Sequence, residues 1–259
     1  MDKTFTVDNI VKKLKTKVIG QEIVYLNRTT STMDVARKKA EGRTPEGTVV
    51  VAEQQTSGRG RFQRVWISPP GVNLYFSVVL YPKTEMIHFI HMVTTLAIIR
   101  GIKSVTGLSA AIKWPNDVKI KNKKISGVLV ESTFSGQELS FLVVGVGINV
   151  NFDPNEYPEI VLPASSLMQE VGQEVNRLEL FTTILYEFEQ LYLNIEDGQN
   201  LQKEWRDSLE TLGLRIRVRQ MSHVEEGIAI DTDLFGNLLL RRDDNSIIVL
   251  YGGEVTTQI

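Results

Sequence analysis

Ser57-Gly-Arg-Gly-Arg-Phe-Gln-Arg-Val-Trp66 is the stretch on which the reading of this chain turns. It holds three arginines, two glycines and no acid, and it follows the apolar run Thr48 to Glu53. Arginine keeps its charge and offers a planar fork of donors that fits carboxylates and phosphates. Gly58 and Gly60 lack a Cβ, so the backbone there can turn sharply or approach a ligand closely. Neither a helical nor a strand period runs through the segment, which reads as a mobile, anion-gripping loop. A solvated basic turn has the same composition, so the rest of the chain has to decide.

Its 259 residues suffice for a large core, as one domain or as one domain with a small appendage. Charged residues at 23% and apolar ones at 42% place it among soluble globular proteins. A net charge of -2 argues against a dedicated nucleic-acid binder. The absence of cysteine excludes disulfides, thiolate catalysis and zinc-thiolate sites. Met1 to Thr16 is too charged for a signal peptide, and no apolar run is expected to span a bilayer. Cytoplasm is the default.

Asp8 is expected to cap a short helix with Ile10, Val11 and Leu14 on one face and Lys12, Lys13 and Lys15 outside. Glu22 to Asn27 reads as a strand. Thr30, Ser31 and Thr32 offer hydroxyls at the start of a helix that Gly42 ends. Thr48 to Gln55 is a β-branched strand buried on both faces. Asn73 to Tyr81 is another strand, and Ile87 to Val105 is a central helix, apolar nearly all round. Ala110 to Trp114 and Asp117 to Ile120 are short strands, followed by a tight basic turn from Lys121 to Lys124. Val128 to Thr133 and Leu139 to Val150 form a long antiparallel pair across Ser135-Gly136. Asp153 to Pro163 is irregular, and helices follow near Ser165 to Val171, Arg177 to Ile195 and Leu201 to Thr211. Beyond a boundary near Gly213, four short strands (215–219, 226–231, 238–242 and 247–251) alternate with turn signals, the spacing of a small SH3-like barrel over 214–259.

Three further segments can carry chemistry. In Lys113-Trp-Pro-Asn-Asp117, Pro115 extends Trp114, and Asn116 and Asp117 present an amide and a carboxylate at a strand end. They can orient a phosphate, a ribose or magnesium, or simply form a turn beside a packed tryptophan. Lys124 either belongs to a solvated turn or points into a cleft as a point charge, since Ile125-Ser-Gly-Val128 enters the core after it. Val144-Gly-Val-Gly-Ile-Asn149 is not a dinucleotide fingerprint, because Asp153-Pro154 follows where a helix should open. Its glycines let something flat lie against a strand, with Asn149 in reach. His88 and His91 are spaced for a metal pair, but no third ligand is apparent.

These motifs, with Lys124-Ile-Ser-Gly-Val-Leu-Val-Glu131, resemble in order and spacing those of biotin protein ligases over Glu22 to Ile259. The resemblance implies an α+β catalytic domain over 1–213, a mixed sheet with packed helices similar to class II aminoacyl-tRNA synthetases, followed by the SH3-like barrel. It implies that biotin and ATP, with magnesium, form biotinyl-5′-AMP, and that the biotinyl group passes to a lysine of a biotin carboxyl carrier domain. By position, Ser31, Thr32 and Gln55 would bond the ureido ring, with Gly58, Arg59 and Lys124 around the carboxylate and Gly127 and Gly145 leaving room for biotin. Arg61, Arg64, Trp66, Asn116, Lys124 and Asn149 would hold the nucleotide or adenylate, and Arg59, Arg61 and Lys124 would be catalytic. Magnesium ligands are not assigned.

Two departures stand out. Many family members have glycine where this chain has Gln63, which implies a stiffer or differently bonded loop. Only about twenty residues precede the first strand, too few for a winged-helix DNA-binding domain. The resemblance is therefore to the monofunctional form, with no specific DNA, no membrane, and a homodimer left open. A lipoate or octanoate ligase shares the fold and the acyl-adenylate chemistry. A nucleic-acid module using Arg59, Arg61 and Arg64 is a rival of another class, opposed by the acidic balance and by few stacking aromatics beyond Phe62 and Trp66.

Overall fold

The computed structural model describes residues 4–160, 163–220 and 223–257. The irregular segment and the end of the barrel expected above fall partly outside these residues. The first unit runs α1 (Val7–Lys13), β1 (Ile23–Leu26), α2 (Thr32–Glu41), β2 (Val49–Ala52), β3 (Leu74–Leu80), α3 (Ile90–Thr106), β4 (Ala111–Lys113), β5 (Asp117–Ile120), β6 (Lys123–Ser135) and β7 (Glu138–Ile148). Then come α4 (Leu167–Val171), α5 (Arg177–Leu193) and α6 (Gly198–Asp207), followed by β8 (Arg215–Gln220), β9 (His223–Thr232), β10 (Leu238–Arg241), β11 (Ile247–Leu250) and β12 (Glu254–Thr257).

β1 to β7 form one mixed sheet in the order β1-β2-β3-β7-β6-β5-β4, with β1 and β2 parallel and the other pairs antiparallel. Strand alternation sends Val49, Val51, Phe76, Val78, Val144 and Val146 into the core under α3 and α5. Val50, Val79, Phe141 and Val143 point the other way, against Met33, Ala36 and Ala40 of α2. β2 is thus buried on both faces, as its unbroken Val-Val-Val-Ala run requires. The ten-residue α2 covers only part of its face, and the arginine loop lies beside it. β8 to β12 make the second sheet, antiparallel in the order β11-β10-β9-β8-β12.

A buried ion pair ties the frame together. Arg177, at the start of α5, donates to both carboxylate oxygens of Glu53 at 2.9 and 3.3 Å, and to the Asn73 carbonyl at 3.1 Å. Tyr25 donates to the same carboxylate at 2.7 Å, and the guanidinium lies 4.6 Å over the Phe5 ring. Glu53 stands two residues before Gln55, so this pair anchors the base of the loop.

Several expectations need correcting. Thr6, not Asp8, caps α1, its hydroxyl accepting from the Asn9 N–H. The basic turn contains only Lys121 and Asn122, both with positive φ, and β6 already begins at Lys123. α6 starts at Gly198, packed close against Phe89, and the second sheet has a fifth strand, β12. Thr84–Thr106 is, by length and composition, long and apolar enough to cross a bilayer, contrary to expectation. Its apolar side chains are spent inside the protein, where Ile90, Val93, Leu96, Ala97 and Ile102 are fully buried.

The second sheet docks on α3 through the turn at Gly236. The Trp114 indole N–H donates to the Gly236 carbonyl at 2.8 Å, and His91 lies beside that glycine, edge-on to Trp205 at 5.2 Å. Burial pushes the His91 pKa down to about 4 from 6.5, with His88 and Arg61 adding to the effect. The unfolded chain therefore takes up this proton first, so His91's contribution is complete above about pH 6.5 and lost as pH falls toward 4. Between pH 7.5 and 5 the native state should lose on the order of 2 kcal/mol through this group. Urea midpoints of wild type and His91→Phe over that range measure it, and parallel slopes would rule His91 out.

Candidate active site

The sheet register builds the site floor. Directly opposed residues run Lys113–Asp117 across β4 and β5, Asp117–Gly127 across β5 and β6, Gly127–Gly147 across β6 and β7, and Gly147–Tyr75 across β7 and β3. Opposed residues share a face, so these side chains line up on the α2 side of the sheet. A second row runs Leu129–Gly145–Ser77–Val50. The centre of the face is glycine, and the arginine loop fills the depression.

Trp66 occupies it. A Cβ on Gly147 would stand inside its indole, and one on Gly127 would lie 3.1 Å from the ring. The Lys124 ammonium is 5.3 Å above the ring centroid, a cation–π distance. The indole Nε1 is buried with no hydrogen-bond partner among the described residues. Gly145, expected to leave room for biotin, instead admits Met33, whose Sδ would be 2.7 Å from an added Cβ.

One end of the depression is a polar cluster at the N-terminus of α2. Ser31 caps the helix, accepting from the Met33 N–H at 3.3 Å. Gln55 Oε1 accepts from the Thr32 N–H at 2.8 Å and its hydroxyl at 3.2 Å, and Gln55 Nε2 donates to Ser68 at 3.2 Å. Thr32 and Ser77 share a hydrogen bond of 2.8 Å. Gly58 passes so near that a Cβ would meet the Trp66 carbonyl at 2.5 Å and Ser68 Oγ at 2.8 Å. That glycine is required by close approach.

The other end is cationic. Lys124 pairs with Asp117 at 2.7 Å. Arg61 donates to Asn116 Oδ1 at 2.7 Å, while Asn116 Nδ2 donates to the Val128 carbonyl at 2.7 Å. Burial lowers the Arg61 pKa, opposed by Asp117 and Glu254. Arg59 turns away to Asp34 at 2.6 Å, with Glu131 at 3.9 Å, and Arg64 pairs with Glu254 on β12. The barrel therefore holds the loop's far stem. Asn149 is buried and donates from Nδ2 to the Ser165 carbonyl at 3.0 Å, bracing the entry to α4. The structure thus brings Ser31, Thr32, Gln55, Gly58, Arg61, Trp66, Asn116, Lys124 and Gly127 to one groove and turns Arg59 and Arg64 to its rim. Ser68, Ser77 and Glu254 are contributors that sequence reasoning did not single out, while Asp117 and Gly147 stand where the motifs containing them led one to look.

The model for the biotin/lipoate A/B protein ligase family matches residues 25–149, the span that holds the glycine floor and the arginine loop. The bifunctional ligase/repressor BirA of Bacillus subtilis is 34% identical over 93% of this chain and 76% of its own length. This chain belongs to that ligase family. The Mycobacterium tuberculosis biotin–[acetyl-CoA-carboxylase] ligase is 27% identical, with 94% of each chain covered. Among solved structures, the biotin protein ligase of Aquifex aeolicus in complex with biotin and ATP superposes with a TM-score of 0.76 at 26% identity, over 92% of this chain and 99% of that one. Like that ligase, this family member joins a mixed sheet with packed helices to a small antiparallel C-terminal sheet of SH3-like form.

The indole on the glycine floor anchors the loop. Gly147→Ala should dislodge it, leave the sheet folded, and raise tryptic cleavage at Arg61 and Arg64 by about tenfold, the equivalent of losing a buried aromatic contact. Equal cleavage rates for variant and wild type would remove the anchoring role.

Proposed function

We propose that the groove binds biotin with its ring at Ser31, Thr32 and Gln55 and its carboxylate toward Lys124, and that ATP enters beside Arg61 and Asn116. This chain is an ATP-dependent biotin–protein ligase. It makes biotinyl-5′-AMP and passes the biotinyl group to a lysine of a biotin carboxyl carrier domain, the kind of acceptor implied by the acetyl-CoA-carboxylase ligases among its relatives. The observation that carries the reading is the pairing of ends: a buried hydroxyl–amide cluster and a lysine stand on either side of a floor without side chains.

In the first step a carboxylate oxygen of biotin bonds to the α-phosphorus, and the bond from that phosphorus to the bridging oxygen breaks with its electron pair leaving on pyrophosphate. Charge grows at the meeting point of two anions, so fixed cations lower the barrier. Lys124 exchanges Asp117 for that charge. Arg61, already half-enclosed, reaches the phosphates by leaving Asn116. The loop then keeps water from the mixed anhydride. Among the described residues no group of three or more His, Cys, Asp or Glu can hold a metal ion. A magnesium ion accompanying ATP would find Asp117 as the nearby carboxylate and would offset phosphate charge when bound.

The polar end favours the biotin ring over an aliphatic lipoyl or octanoyl chain, because a ureido group can exchange hydrogen bonds with the buried hydroxyls and amide there, and an apolar chain offers them none. Purified protein with ATP, magnesium and biotin should yield biotinyl-AMP, and product only with lipoate or octanoate would overturn the reading. Lys124→Ala should lower adenylate formation about 10²–10³-fold, read by pyrophosphate exchange. Arg61→Ala should still form the intermediate but leak it, seen as labelling of bystander proteins. Wild-type exchange in the first variant, or carrier-only labelling in the second, would retire the role of that residue.

A further inference from the structure

Lys113 closes the row that crosses the site floor. It lies directly opposite Asp117, whose own neighbour across the next pair of strands is Gly127. Ile112 before it points into the core, and Lys113 alternates to the groove face. Its side chain is half-buried, and its ammonium has no hydrogen bond or ion pair among the described residues. The acids near it are already engaged: Lys124 holds Asp117 at 2.7 Å and Lys119 holds Glu210 at 2.6 Å. With Arg61 also beside Asp117, four cations gather at this corner, and every acid near them already has a partner.

An enclosed ammonium next to two like charges is an unfavourable arrangement in the free protein. Burial lowers the Lys113 pKa, Asp117 opposes the change, and Lys119 and Lys124 add to it. An incoming polyanion relieves all of these strains at once, whereas a single carboxylate would be claimed by Lys124. The spacing supplies the direction. Lys113 is two strands beyond Gly127, about 10 Å along the sheet, so a triphosphate that starts over the glycine floor and runs along this row points its far end at the Lys113 side chain.

We propose that Lys113 is a further substrate-binding residue, holding the pyrophosphate end of the nucleotide opposite Arg61 and governing how tightly that leaving group is kept. The proposal rests on the adenylate chemistry above, in which the α–β bridging oxygen departs with its electron pair. Lys113 donates hydrogen bonds to the departing diphosphate and takes no part in covalent chemistry.

Wild-type protein tests it first, with inorganic pyrophosphate and magnesium as the probe and neither ATP nor biotin present. Acetic anhydride labelling, mapped by mass spectrometry, should slow several-fold at Lys113 when pyrophosphate is added, while Lys121, whose side chain is 74% exposed, stays unchanged. In pyrophosphate exchange, Lys113→Gln should raise the KM for pyrophosphate and for ATP about tenfold or more, the loss of a hydrogen bond to a charged group. Biotin affinity should hold within about twofold, and Lys113→Arg should recover most of the effect, which a packing defect would not. Unprotected Lys113 with an unchanged pyrophosphate KM in Lys113→Gln overturns the proposal while leaving the ligase reading intact. Failure of the wild type to make biotinyl-AMP would overturn the reading itself.

Discussion

Two opposed glycines on neighbouring strands set the geometry on which the rest of the site depends. Where β6 and β7 meet, Gly127 and Gly147 leave a patch of bare backbone, deep enough for an indole. Any larger residue at Gly147 collides with Trp66, so the loop's seat, the position of Lys124 over the ring, and the burial of Arg61 all follow from that missing volume. The polar cluster at α2 and the cationic corner at β4–β5 then become two ends of one glycine floor, with the indole seated between them.

The cations around that floor share a second property. Apart from Lys113, each is held by the protein in the free state: Lys124 by Asp117, Arg61 by Asn116, Arg59 by Asp34, Arg64 by Glu254. The Arg59 and Arg64 pairs are exposed enough to be worth about 0–1 kcal/mol each, so a polyanion displaces them at little cost. The Glu53–Arg177 pair is of another kind. Both partners are almost fully buried, and stripping either would leave a charge in the core, which makes it part of the frame. Exchangeable pairs above a fixed pair allow a loop to rearrange while its base stays still.

Much of this was legible in the sequence where chemistry is local. Ser31 ahead of an amphipathic run and Gly42 behind it marked α2, and the unbroken valines of β2 marked burial on both faces. The pairing of Gly127 with Gly147 was not, because of a bulge. Next to the turn the register pairs Ser135 with Glu138, yet beyond Thr133 it shifts by one, and counting back from the turn would set Gly127 against Val146. Lys124 was ambiguous for a related reason: β6 starts earlier than its apolar residues do, its first turns held by the Pro163 carbonyl and the Ser165 N–H. Arg64's partner lies 190 residues away on a strand too short to register as one. Gln63 follows the same logic. It and Phe62 adopt φ values of 59° and 57°, left-handed backbone that costs about 1–2 kcal/mol per residue without glycine, and long-range arginine contacts on both sides hold them there.

The seat of Trp66 also gives the protein a reporter of its own. Of three tryptophans, Trp114 and Trp205 are enclosed where α3 meets the second sheet, each with its indole N–H satisfied. Trp66 alone lies at the groove, beneath a lysine and with its N–H unspent. Indole emission depends on nearby charge and on hydrogen bonding at that nitrogen. Occupancy of the groove is thereby written into the intrinsic fluorescence of one residue, against two others that stay constant as an internal standard.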